Sequence, residues 1–269
     1  MFKKKFSSHF LLVGGLFLTA CANNEDINQV TLGVVGENNE AWEYVVDELM
    51  EKENIPLNLQ TFTDYATPNK ALADGSIDLN AFQTEIFLDE FNKTADQDLQ
   101  VIGYTIMAPL GIYSASLSDV EELTDSMTVA IPNDPSNGGR ALRLLETADL
   151  ITLDPQEGLA PTVDDITANP LNLIIEELDS SQTARALEDV DASVINSGMD
   201  VDAGFFPSED AIFLEPVTEE SVPYYNVIAA HPDNVDNDTF KTIVAYYQTD
   251  TTAAVIKEAS KGSQFPIWE

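Results

Sequence analysis

One cysteine and two histidines in 269 residues leave little material for several kinds of chemistry. Cys21 has no partner with which to close an internal disulfide. His9 and His231 are the only imidazoles, so neither a Ser-His nor a Cys-His nucleophile is readily assembled. A transition-metal site would have to rely on carboxylates, and no Asp/Glu loop has calcium-type spacing. The expectation is a protein that is not an enzyme, with no metal and no cofactor. Cations are scarce as well: 12 Lys and Arg face 47 Asp and Glu, for a net charge of -35. That balance excludes nucleic acid as a partner and electrostatic adhesion to anionic lipid. The acidic runs read as solvated surface and mark no site. Long apolar runs are missing too, apart from residues 10–18, which are too few to span a bilayer as a permanent helix.

That run follows Lys3, Lys4 and Lys5 and leads into Leu18-Thr19-Ala20-Cys21, the order of a secretory signal. The last four residues resemble a bacterial lipoprotein lipobox. The resemblance implies a signal peptide over 1–20, acylation of Cys21 and a polar tether over 21–28. The membrane is then reached through lipid on Cys21, at the extracytoplasmic face.

Beyond the tether the pattern turns globular. Val30–Val35 reads as a buried strand, the apolar spacing from Glu37 to Glu51 as a helix, and Leu57–Phe62 as a second strand. Together they form a βαβ unit of a parallel sheet. The alternation returns with a strand at Met127–Ile131, a helix at Gly138–Leu150, a strand at Leu171–Ile175, a helix at Ser181–Glu188 and a strand at Ala192–Ile195. Two α/β units are expected. The apolar stretches Leu99–Ser114 and Tyr225–Ala230 lie near the crossings between them. No internal sequence repeat is evident.

The segment Ala130-Ile-Pro-Asn-Asp-Pro-Ser-Asn-Gly-Gly-Arg-Ala-Leu142 sets turn formers, two glycines and an arginine between strand and helix. Gly138-Gly139 would allow backbone to approach a ligand, the helix start offers unpaired N–H groups, and Arg140 adds a planar fork suited to a carboxylate. The spacing is not that of a nucleotide phosphate loop, which requires Gly-Lys-Ser/Thr. The same residues also fit an ordinary turn in which Arg140 pairs with an acid. Arg143 lies close by.

Several blocks in order resemble the NlpA-type methionine-binding lipoproteins: Phe62-Thr63-Asp64-Tyr65, Pro68 to Leu72, Gly75 to Gln83, Ala108 to Ser114, the segment just quoted, and Asp191 to Asn196. The resemblance runs from about Val30 to Trp268. It implies a two-lobed periplasmic-binding-protein fold of type II, each lobe a mixed sheet flanked by helices, with the ligand in the cleft. One lobe would comprise 28–110 and 213–269, the other 111–212. It implies that Arg140 grips an amino acid's carboxylate, that Asn196 and Asn226 bond its head group, and that Tyr65 and Phe82 wall its side chain. Asn196 also ends a strand, where open α/β sheets place ligands.

The chain departs from the family pattern at two positions, having Thr84 where the family has His and Phe87 where it has Tyr. Both belong to the expected pocket, so the ligand is methionine, a related amino acid or a short peptide. The partner would be the permease of an ABC importer. The competing reading is a lipoprotein adhesin or surface scaffold of the same fold.

Overall fold

The structure, a computed structural model, describes residues 29–156 and 158–268; Cys21, the expected signal peptide and the tether lie outside them. The chain runs through β1 (Val30–Val35), α1 (Glu40–Glu53), β2 (Leu57–Phe62), α2 (Pro68–Ala73), β3 (Leu79–Thr84), α3 (Glu85–Ala95) and β4 (Gln100–Met107). It continues through β5 (Gly111–Tyr113), β6 (Thr128–Pro132), α4 (Pro135–Thr147), β7 (Thr152–Leu153), β8 (Ile166–Ala168) and β9 (Ile174–Leu178). Next come α5 (Thr183–Ala186), β10 (Ala192–Ile195), α6 (Met199–Asp202), α7 (Pro207–Asp210) and β11 (Phe213–Leu214). The return is made by β12 (Tyr225–Ala230), α8 (Asp238–Tyr247), α9 (Asp250–Ala259) and β13 (Phe265–Pro266).

The strands form two main sheets, in the orders β13-β4-β12-β3-β1-β2 and β11-β5-β10-β6-β9. Each has a parallel trio, β2-β1-β3 in one and β9-β6-β10 in the other, followed by antiparallel strands. One carboxylate recurs in both: Asp78 Oδ2 accepts from Thr31 N–H, and Asp191 Oδ2 accepts from Thr128 N–H, each at 2.8 Å. The two lobes therefore share one plan that leaves no visible sequence repeat.

Burial explains the elements. Trp42, Val45 and Leu49, at helical spacing on α1, join Leu32, Val34, Phe240 and Ile243 in the first core. Val129, Ile131, Leu142, Leu145 and Val194 form the second. Each such side chain contributes about 1.5–3 kcal/mol by leaving water. Ala108, Pro109 and Leu110 link the sheets in one direction and residues 215–224 in the other.

Local chemistry shifts several expected boundaries. α4 begins at Pro135, not Gly138, because Asp134 caps it and proline suits the first helical position. The strand expected at Leu171–Ile175 runs instead over Ile174–Leu178, since Asn169 holds Leu173 through both N–H and C=O and Asn172 turns at φ 49. The helix expected over Ser181–Glu188 contracts to Thr183–Ala186 after a 3-10 turn capped by Asp179. Phe213 and Leu214, expected to open the return to the first lobe, pair antiparallel with Ile112 and Gly111 in the second sheet.

Candidate functional site

A small, narrow cavity lies between the sheets. All seven expected ligand residues, Tyr65, Phe82, Thr84, Phe87, Arg140, Asn196 and Asn226, line it. Gln83, Ala108, Asn137 and Ser197 complete the wall. All four stand in, or directly beside, the sequence blocks that carry the family resemblance, which is the signal that could have found them.

The turn before α4 does not hold what its composition suggests. Asp134 Oδ1 accepts from Asn137 N–H at 2.9 Å, so the helix start is capped by the chain's own carboxylate. The two glycines serve packing: a Cβ on Gly138 would lie 2.7 Å from Pro132 O, and one on Gly139 2.6 Å from Ala160 Cα. This corrects the expectation that they admit a ligand.

Arg140 sits more than a turn inside the helix and is buried, 3% exposed. Its Nε donates to Glu215 Oε1 at 3.0 Å, and its Nη2 donates to Glu215 Oε2 at 2.5 Å and to Ala108 O at 3.0 Å. The Tyr224 ring lies against the guanidinium, its centroid 4.5 Å from Cζ. Pairing with an acid is thus real, yet it occupies only one edge of the fork: Nη1 makes no hydrogen bond among the described residues.

Asn196, at the carboxyl end of β10, carries the complementary group. Asp134 accepts from Asn137 Nδ2 at 3.0 and 3.1 Å, which fixes that amide with Oδ1 turned toward Asn196. Asn196 Nδ2 donates to Asn137 Oδ1 at 2.7 Å. Asn196 Oδ1 is left buried without a partner, in a wall of the cavity. A buried acceptor of this kind costs about 1–3 kcal/mol unless something donates to it.

The far end is aromatic. Tyr65, Phe82 and Phe87 form a triangle with centroids 5.8, 6.1 and 6.0 Å apart. Burial raises the Tyr65 hydroxyl above its ordinary range, so it stays protonated. Thr84 caps α3, its hydroxyl accepting weakly from Phe87 N–H at 3.4 Å. Asn226 pairs with Thr84 across β12 and β3. The β3–β12 register slips between Val227 and Ala229, which puts Asn80 and Gln83 on one side, where they join Asn69 in a buried network of amides at 2.6–2.8 Å.

Across the rim, Glu37 N–H and Asn38 Nδ2 of the first lobe donate to Asp202 Oδ1 of the second, at 3.1 and 2.8 Å. Gln264 Nε2 donates to Ser197 Oγ at 3.2 Å. Gly36, at φ +84, makes the first contact possible, since a Cβ there would lie 2.4 Å from Asp202 Oδ2. Gly36→Ala should hold the rim apart and weaken ligand affinity by roughly tenfold, one 1.4 kcal/mol step, with folding intact. Unchanged calorimetric affinity would show that the rim contact does not contribute to closure.

Behind this rim the Tyr113 hydroxyl donates to the fully buried Asp200 at 2.6 Å. Desolvation pushes the Asp200 pKa up to about 6, against hydrogen bonds from Tyr113, Val201 and Gly198 that lower it. The folded state therefore binds this proton more tightly than the unfolded chain. Its stabilising effect is complete below about pH 4 and is lost as pH climbs through about 6, a change on the order of 3 kcal/mol. Urea unfolding across that window should show this component in the parent and not in Asp200→Asn.

Two lobes joined by paired crossings, with a polar and aromatic cavity between them, define a substrate-binding fold. The NlpA lipoprotein family model matches residues 30–268, and the chain belongs to that family. The D-methionine-binding lipoprotein MetQ of Escherichia coli K12 is 37% identical over 269 residues, 98% of each chain. Among solved structures, protein PG110 of Staphylococcus aureus is 45% identical with a TM-score of 0.86, covering 89% of this chain and 94% of its own. A Burkholderia cenocepacia nutrient-binding protein bound to methionine is 37% identical with a TM-score of 0.85, covering 89% of this chain and all of its own.

Proposed function

We propose that this chain is the substrate-binding protein of an ABC importer and that it captures a zwitterionic amino acid, methionine first, by closing its two lobes. The observation that carries the reading is a pair of unused groups of opposite polarity in one cavity: the Arg140 Nη1 donor and the buried Asn196 Oδ1 acceptor. The first suits a carboxylate and the second an ammonium. Asn226 stands where it can add a head-group bond. The Tyr65-Phe82-Phe87 triangle suits an uncharged side chain, and a thioether gains about 0.3–1.5 kcal/mol against aromatic rings. The names of the methionine-binding relatives support the same choice.

Capture without turnover is the mechanism. Carboxylate and ammonium are held chiefly from α4 and β10 of the second lobe, the side chain from β3 and α3 of the first. A ligand touching both lobes favours the closed form, which the permease then reads. The two lobes are taken as 29–110 with the return beyond residue 214, and 111–214. Acylated Cys21 would tether the protein to the outer face of the membrane; among the described residues no helix is long and apolar enough to cross one. A scaffold or adhesin has no use for a buried acceptor left open inside a cavity. A thermal-shift screen of the twenty amino acids separates the two: a saturable rise for methionine supports capture, and no rise for any amino acid removes it.

A further inference from the structure

Glu215 lies outside every sequence block that marks the family resemblance, yet it is the residue on which Arg140 depends. It stands just past β11, in the crossing between the lobes, and its side chain is 13% exposed. Its carboxylate accepts three bonds: Arg140 Nε at 3.0 Å, Arg140 Nη2 at 2.5 Å and Leu110 N–H at 3.0 Å. Its own N–H donates to Leu110 O at 2.9 Å, so it is fastened to the other crossing by backbone as well.

We propose that Glu215 is a positioning residue that aims Arg140 Nη1 into the cavity and, by neutralising the guanidinium, makes the site select a zwitterion over a bare carboxylate. The inference rests on reading the cavity as an amino-acid site. The argument is one of charge. Arg140 and Glu215 together are neutral, and a zwitterion keeps the closed cavity neutral. A ligand with the carboxylate but no ammonium would leave one uncompensated negative charge there, an expensive state in a desolvated site. Remove the charge of Glu215 and the balance shifts toward the bare carboxylate, which now offsets Arg140, while the zwitterion leaves the guanidinium charge uncompensated by this pair. Asp134 at the base of Asn137, and Asp200 and Asp202 near Tyr65, also act on this region. They are common to parent and variant and cancel when preferences are compared.

The experiment titrates full-length folded protein with L-methionine and with its des-amino analogue, the same thioether acid lacking the ammonium. The parent should bind methionine far more tightly. Glu215→Gln, which keeps the shape and whose one carbonyl oxygen can still accept from Arg140 Nη2 and Leu110 N–H while losing the bond from Arg140 Nε, should narrow that preference by about tenfold or more. Glu215→Asp retains the charge on a shorter stem, so it should weaken both ligands while keeping the preference within about threefold of the parent's. A merely structural role would lower both affinities by one common factor in Glu215→Gln, and that result overturns the proposal. Collapse of the preference in Glu215→Asp would overturn it too, and this arm decides the matter if Glu215→Gln lacks a cooperative melt. Failure of the parent to bind methionine at all is a different result: it removes the amino-acid reading, and this inference with it.

Discussion

Arg140→Ala should lower amino-acid affinity by about 30-fold to several thousandfold. Removing one partner of a buried hydrogen-bonded charge pair typically costs about 2–5 kcal/mol, and each 1.4 kcal/mol or so is tenfold. The same change strands the Glu215 carboxylate, which has only Leu110 N–H left, so a fall in stability of about 3–5 kcal/mol should accompany it. Binding must therefore be read on protein shown to be folded at the temperature used. Arg140→Lys should recover part of the stability, because an ammonium still answers Glu215. It should recover little affinity, because one nitrogen cannot serve Glu215, Ala108 and the ligand together. Arg143, whose side chain donates to Gly158 O, does not line the cavity, and Arg143→Ala should leave binding unchanged. The sharpest control compares the ligand with its carboxamide. The parent should discriminate strongly and Arg140→Ala hardly at all.

Asn196→Leu is expected to give the second large effect. Leucine fills a similar volume but offers neither the bond to Asn137 nor the open acceptor. A hydrogen bond to a charged group contributes about 1.5–3 kcal/mol, so amino-acid affinity should fall by roughly 10- to 150-fold. The carboxylate end is untouched, and the preference for the acid over its carboxamide should survive. Loss of that preference as well would mean that Asn196 shapes the whole cavity and does not simply meet the ammonium.

These two residues differ in how far sequence could take them. Arg140 and Asn196 were each legible as a polar group near the end of a strand or the start of a helix, and the seven expected residues do share one cavity. What the Arg140 segment does was legible only in part. Asp-Pro before Ser-Asn-Gly-Gly announces a capped helix, and the capped start leaves no empty cradle for a ligand. The need for Gly139 arises from Ala160, twenty-one positions away and without any local signature. Glu215 and Asp202 were illegible for the same reason: in a chain crowded with carboxylates, only the fold says which one meets Arg140 and which one meets Asn38. Apolar runs located β1 and β10 to the residue, because both are buried almost throughout, and alternation located the edge strand β2, whose Leu57 and Leu59 face inward between exposed Asn58 and Gln60; the apolar stretch Tyr225–Ala230, expected near the crossings, is β12. The return of Phe213 and Leu214 to the second sheet rests on a long-range edge pairing that periodicity does not encode. The shared plan of the two lobes survives in topology and in the paired roles of Asp78 and Asp191, with too few common residues to show as a repeat.

The most direct measurement is a calorimetric titration of ligand-stripped, refolded protein with L-methionine, run beside Arg140→Ala. Capture in the cavity between the lobes predicts one saturable site per parent chain and an affinity lower by roughly 30-fold or more in the variant. Absence of saturable binding to methionine or to any other amino acid, or equal affinity in the two proteins, would contradict it.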